Sequence, residues 1–164
     1  MLFPAVALQT KNRQLYSAWF ALLNKIRRTI ECDEPTNATG STIPIATIVG
    51  QGTTANRVAP AIDNANEAKF VGVTEEAIIN LSTGIVRYSG PVHIKFVTGL
   101  TITNGNTAFV AHTAGYATNV APTGQGTFAR PVGIILDASG YSTVTGGTCK
   151  VMLAPNADVI AAHE

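Results

Sequence analysis

A short run in the middle of the chain occurs twice. Ala55-Asn56-Arg57-Val58-Ala59-Pro60 returns as Ala117-Thr118-Asn119-Val120-Ala121-Pro122. Twelve residues after Pro60 stands Gly72, within Phe70-Val71-Gly72-Val73; eleven after Pro122 stands Gly133, within Pro131-Val132-Gly133-Ile134. Upstream, Thr42-Ile43-Pro44-Ile45-Ala46-Thr47-Ile48-Val49 aligns with Asn104-Gly105-Asn106-Thr107-Ala108-Phe109-Val110-Ala111. Each half therefore reads as strand, loop, Val-Ala-Pro turn and a strand carrying Val-Gly. A solenoid needs about three stacked repeats to bury its faces. Two copies predict the halves of one pseudo-symmetric β-barrel.

The local patterns agree with strands. Val92, Ile94 and Phe96 alternate with His93 and Lys95, the period-2 signature of a half-buried strand. Short apolar runs recur at 43–49, 70–73, 78–81, 85–88, 100–102, 108–111, 132–136 and 150–153. Gly, Asn, Pro and Thr clusters separate them, among them Thr103-Asn104-Gly105-Asn106, a strong turn signal. Many short strands at this spacing predict a barrel or sandwich.

Residues 1–39 follow another grammar. Residues 1–10 are apolar, contain Pro4 and lack helical spacing, which predicts an extended arm. Leu15, Trp19, Leu22, Leu23, Ile26 and Ile30 then recur at steps of three and four, one face of an α-helix. Arg27 and Arg28 suit the negative end of its dipole, and Pro35 with Gly40 ends the element. Fully burying one large apolar side chain contributes about 1.5–3 kcal/mol, so a stripe holding Trp19 calls for a partner surface. The expected organisation is 1–39 as arm and amphipathic helix, with 40–164 as the β-barrel domain.

Composition narrows the function. Only 13% of the 164 residues are charged, against about 25% in ordinary domains. From Tyr88 onward the charges are Lys95, Arg130, Asp137, Lys150, Asp158 and Glu164. So few charges oppose self-association poorly and predict a surface covered by partners. The formal net charge of +1 gives no overall case for nucleic acid or an anionic membrane. Lys11, Arg13, Lys25, Arg27 and Arg28 cluster near Trp19, but Glu31, Asp33 and Glu34 follow at once, so a basic rim around a docking face is the simpler reading. No apolar run reaches the roughly 18–20 residues that span a bilayer, and 11–28 lacks the order of a secretion leader. The sequons at Asn37 and Asn80 read as chance. Cys32 and Cys149 lie far apart, leaving one disulfide or two free thiols open.

Motifs for chemistry are sparse. His93, His112 and His163 have no metal-ligand spacing, and an enzyme would need His112, Asp137 and a serine to converge. Gly50-Gln51-Gly52 and Gly124-Gln125-Gly126 lack the rest of a phosphate-binding motif and read as loops. Glu75-Glu76 would point to opposite faces of a strand. No enzyme activity and no cofactor is expected.

From Gly40 onward the order of features resembles the capsid decoration, or head cement, proteins of tailed phages. The matching pieces are Val71-Gly72-Val73, the stretch from Gly84 to Val92, Thr103-Asn104-Gly105-Asn106-Thr107-Ala108-Phe109-Val110, Val132-Gly133-Ile134-Ile135-Leu136 and Lys150-Val151-Met152-Leu153. The resemblance, from Gly40 onward, spans roughly three quarters of the chain. The resemblance implies a mainly β body of the β-barrel or β-tulip kind, made in the host cytoplasm and carried on the capsid surface of the virion. It implies as partners the major capsid protein and further copies of the chain as a homotrimer, with neither nucleic acid nor membrane. Residues 1–39 depart from the family pattern, which keeps a neck, tail or fibre component, or a receptor- or glycan-binding module, as the alternative. Exposed aromatics at Tyr116, Phe128 and Tyr141 would favour the latter. The candidate oligomer and capsid contacts are Leu2, Phe3, Leu15, Trp19, Phe20, Leu23, Ile26 and Arg27.

Overall fold

A computed structural model describes Trp19, Leu22 and residues 32–52, 54–63, 70–123, 128–154 and 160–161. The protein is mainly β and forms two six-stranded sheets, one of them closed into a barrel. The first holds β1 (Cys32–Asp33), β2 (Thr36–Asn37), β3 (Ile48–Gln51), β4 (Arg57–Pro60), β5 (Phe70–Thr74) and β6 (Val86–Arg87), in the order β1-β6-β5-β3-β4-β2. The second holds β7 (Gly90–Phe96), β8 (Thr107–Val110), β9 (Ala117–Thr118), β11 (Pro131–Asp137), β12 (Tyr141–Ser142) and β13 (Gly146–Leu153), in the order β11-β8-β9-β7-β13-β12. Pairing of β11 with β13 joins the ends and closes a five-stranded barrel, with β12 appended. A small ribbon pairs β10 (Phe128–Ala129) with β14 (Ile160–Ala161).

The sequence echo is an echo of topology. In the first sheet β3 lies between β4 and β5; in the second β8 lies between β9 and β11, with antiparallel pairing throughout. Both central strands carry a register shift against their third strand. The two glycines of the repeated Val-Gly serve the same end. A Cβ on Gly72 would overlap the Arg87 carbonyl oxygen, and one on Gly133 the Met152 carbonyl oxygen. Each lets the next strand approach its backbone.

The barrel is not shared equally between the halves, as the repeat alone suggested. The second unit closes because the long strands β7 and β13 pair along seven positions and bridge it, Phe96 pairing with Ala117 in parallel and Leu153 with Gly133 antiparallel. The first unit has only the two-residue strands β1, β2 and β6 at its flanks, and stays an open sheet. β1 and β2 fall within 1–39 and pair with β6 and β4 of the body.

Two hydrophobic clusters meet at β3. Ile48 joins Val73, Ile94, Phe96, Val110, Val132 and Val151 in the larger core, while Val49 joins Ile43, Val58, Ile78 and Val86 in the smaller. Burial on both faces explains why the adjacent β3 residues Ile48 and Val49 are both apolar. Along β7 the expected alternation holds, with Val92, Ile94 and Phe96 buried and Pro91 and His93 exposed.

Two expected strands are not strands. Residues 78–81 make one bridge, Ile78 to Ile43, and then turn, with Ser82 N–H donating to Ile79 O at 3.0 Å. Residues 100–102 pack Leu100 and Ile102 on the barrel core as irregular chain. The 43–49 run becomes a strand only at Ile48, because Ala46 adopts a left-handed φ of 61° and breaks it. Turn 103–106 is present, closed by Asn106 N–H on Thr103 O and the Asn106 side chain on Thr103 N.

Candidate interaction surfaces

Among the described residues the polar groups with catalytic potential are dispersed. His112 is exposed and its Nδ1 lies 2.9 Å from Oδ1 of the buried Asp63. Asp137 lies elsewhere, opposite Lys150 on β11 and β13. Its carboxyl is held below the usual range by the Ser139 backbone N–H and side chain, with smaller help from Lys150 and His93. His112 and Asp137 thus have separate partners. Glu75 pairs with Arg87, whereas Glu76 accepts from Ile85 N–H at 3.0 Å, so the two carboxylates do not share a proton. Gly50 is a strand residue opposite Ala59, and Gly52 N–H closes a hairpin on Arg57 O at 2.7 Å. Residues 124–126 lie outside the described residues. No group of three or more His, Cys, Asp or Glu suited to a metal occurs among the described residues. No helix among them is long and apolar enough to cross a membrane.

Cys149 is a free thiol buried in the barrel core. Burial, aided by the charge of Asp137, pushes its pKa up to about 11. Asn37, the acceptor residue of one sequon, is wholly buried and its amide is fully used. Its Nδ2 donates to Ser41 O and Ile78 O, each at 2.7 Å, and its Oδ1 accepts from Thr39 N–H and Thr39 O–H. That side chain is a clamp, which explains the sequon without glycosylation.

The proposed contact residues Leu2, Phe3, Leu15, Phe20, Leu23, Ile26 and Arg27 lie outside the described residues. Trp19 and Leu22 are described, both helical, and remain 60% and 51% exposed. Of the three aromatics expected on loops, Tyr116 and Tyr141 are described and do not form one exposed cluster. Tyr141 packs edge-on against Phe96, donates to Val97 O at 2.8 Å and accepts from Leu100 N–H at 3.0 Å. Tyr116 faces outward, at the rim of an open groove of about 480 Å³ lined by Lys95, Thr98, Thr113, Thr145 and Thr148. The side chain of Phe128 lies outside the described residues.

Two surfaces escaped the sequence reading. One is the turn bearing Ile79 and Leu81; the other is the outer face of the barrel at Ile134, Leu136 and Met152. Both sat inside runs read as strands. The outward phase of Ile134 and Met152 was available from alternation with Ile135 and Val151, but the turn was hidden by its apolar composition. Compared with known proteins, the chain matches no family model and no curated sequence.

Proposed function

We propose that this protein is a structural component of a virus particle, a decoration protein that binds the outer capsid surface at subunit junctions and stabilises the shell. The observation that carries the reading is the exposure of Trp19 and Leu22, which stand in water while the core of the described residues is filled without them. Large apolar side chains left uncovered together mark a contact with another molecule. The closed barrel supplies a rigid body, and of the ordered Val-Gly pieces that resemble cement proteins one occupies β11 of the barrel and the other β5 of the open sheet. Copies tethered on a lattice gain further from a high effective concentration.

The test is the copy number of the chain in purified particles by quantitative mass spectrometry, with Trp19→Ala beside the wild type. Near-equality with the major shell protein and roughly tenfold or greater loss on Trp19→Ala are expected. The stability of the body should stay within about 0.5 kcal/mol, as for an exposed site. A handful of copies would move the protein to a neck, tail or fibre, and absence from particles would sink the virion reading. The groove rimmed by Tyr116 and threonine hydroxyls favours the second reading, a receptor- or glycan-binding module, in which Tyr116→Ala would abolish cell attachment while leaving particle incorporation intact.

A further inference from the structure

The turn that leads into β8 carries the chain's one Asn-Gly pair, Asn104-Gly105. In that dipeptide the backbone nitrogen of the glycine reaches the asparagine side-chain carbon with least hindrance, because glycine has no Cβ in the way. Nothing steric prevents the attack here. Both residues are exposed, and a Cβ on Gly105 would meet no atom within 4 Å. The restraint is hydrogen bonding. Gly105 N–H donates to Ile135 O at 2.8 Å, which occupies the attacking nitrogen. Asn104 Oδ1 accepts from Ala138 N–H at 3.1 Å, which fixes the side chain that would be attacked. Both anchors belong to β11 or to the residue just beyond it.

Backbone geometry reinforces the restraint. Gly105 holds a φ of 89° while Asn104 stays outside the left-handed region, and Asn106 N–H closes on Thr103 O at 3.1 Å. That is the pattern of a type II turn, which keeps its second residue extended at a ψ of about 120°. The Gly105 nitrogen then stands off the Asn104 Cβ, whereas a five-membered ring needs the two eclipsed. Ring closure therefore requires the turn to leave β11. Ile135 N–H also donates to Asn106 O at 2.9 Å, Ile134 pairs with Thr107, and the Ile135 side chain is buried in the barrel core. Freeing Asn104 thus means separating β8 from β11, an opening of the barrel itself.

We propose that Asn104 is a site of spontaneous covalent modification that the folded barrel holds closed and unfolding opens, and that one of its products prevents refolding. In the released turn the Gly105 nitrogen bonds to Asn104 Cγ and the Cγ–Nδ2 bond breaks. Ammonia departs with the amide proton and leaves a succinimide. Water then opens the ring at either carbonyl. Attack at Cγ gives aspartate, whose carboxylate still accepts from Ala138 N–H. Attack at the main-chain carbonyl gives isoaspartate, which routes the backbone through the side chain and lengthens it by one carbon. Gly105 N–H and Asn106 O then no longer meet Ile135 together, as the native register requires. Folded copies are spared, while copies that stay unfolded lose the route back. Neither step depends on what the chain docks onto.

The test incubates the full chain in mildly alkaline buffer, either native or unfolded in guanidinium chloride. Residue 104 is followed by peptide mass spectrometry and by enzymatic methylation of isoaspartate. Conversion should run roughly tenfold or more faster in the unfolded chain, since a reaction confined to the open state tracks that state's population. On dilution from denaturant, the refolded fraction should fall in step with isoaspartate at 104, and the folded pool should hold only the Asn104 and aspartate forms. Asn104→Gln, whose longer side chain disfavours the five-membered ring, should keep its own initial refolding yield over the same incubation. Asn104→Asp, made directly, should refold like wild type, which separates the new charge from the lengthened backbone. Native chains that convert as fast as unfolded ones overturn the proposal, as does an Asn104 that stays intact in the unfolded chain. Isoaspartate-bearing chains that refold in full yield overturn it too, and so does an Asn104→Gln chain that loses refolding at the wild-type rate. The partition of wild-type forms between folded and unfolded pools decides the matter even where a variant fails to fold.

Discussion

Replacing Asn37 by Ala should destabilise the body by about 3 kcal/mol. The amide is completely buried and makes four hydrogen bonds, two donated to Ser41 O and Ile78 O and two accepted from Thr39. A typical buried bond contributes about 0.5–1.5 kcal/mol net, and each group left without a partner costs about 1–3 kcal/mol. Ile78 O keeps its bond from Ile43 N–H, so its loss is partial; Ser41 O and the Thr39 groups stand nearer solvent and are compensated by water. The sum therefore falls near the middle of the range. With a urea m-value of about 2 kcal/mol/M, the unfolding midpoint should drop by roughly 1.5 M. Asn37→Asp sharpens the test, because it retains the acceptor and sets a carboxylate against the Ile78 and Ser41 carbonyl oxygens. Its ionised form is disfavoured in the folded state, so the folded pKa rises above the unfolded value. Stability is then greatest below the unfolded pKa and falls as pH rises through the folded one. Asn37→Asp should accordingly be more stable at pH 3 relative to wild type than at pH 7. A midpoint shift below about 0.3 M for Asn37→Ala, or an Asp variant whose deficit against wild type does not grow with pH, would refute the reasoning.

Two further outcomes follow from the barrel. Gly133→Ala places a methyl group against the Met152 carbonyl where β11 meets β13, and should lower stability by about 2 kcal/mol or more in urea unfolding. Cys149, with its pKa raised from 9.0 to about 11 by burial, should resist iodoacetamide at pH 8 in the native protein and react on unfolding. The same shift makes the neutral thiol part of the folded state, so its contribution is present below pH 9 and is lost as pH climbs toward 11.

What could be read from sequence depended on whether local chemistry and long-range packing agreed. Along β7 they did, because one face meets the core and the other meets water. At 78–81 they did not. Ile78, Ile79 and Leu81 have strand-forming composition, but Asn37, some forty residues away in sequence, bends them into a turn through its amide and backbone. No window around Leu81 contains that information. The Val-Gly repeat was legible since each glycine answers a steric demand of the adjacent strand, whichever half it occupies. Closure was not, because it depends on β7 and β13, which stand outside the repeat. The candidate contacts were legible only as an apolar stripe needing cover; the outer barrel row required knowing which strands are neighbours.

The position of β3 between the two cores has a consequence for how the molecule comes apart. Ile48 anchors one cluster and Val49 the other, while Ile48 N–H is held by Gly115 O from the barrel side and Ala61 N–H by Ile48 O. Neither repeat can shed its structure without exposing side chains that the other relies upon. The duplication, although it looks like two modules, should melt in a single calorimetric transition, and separated halves should remain unstructured until they are mixed.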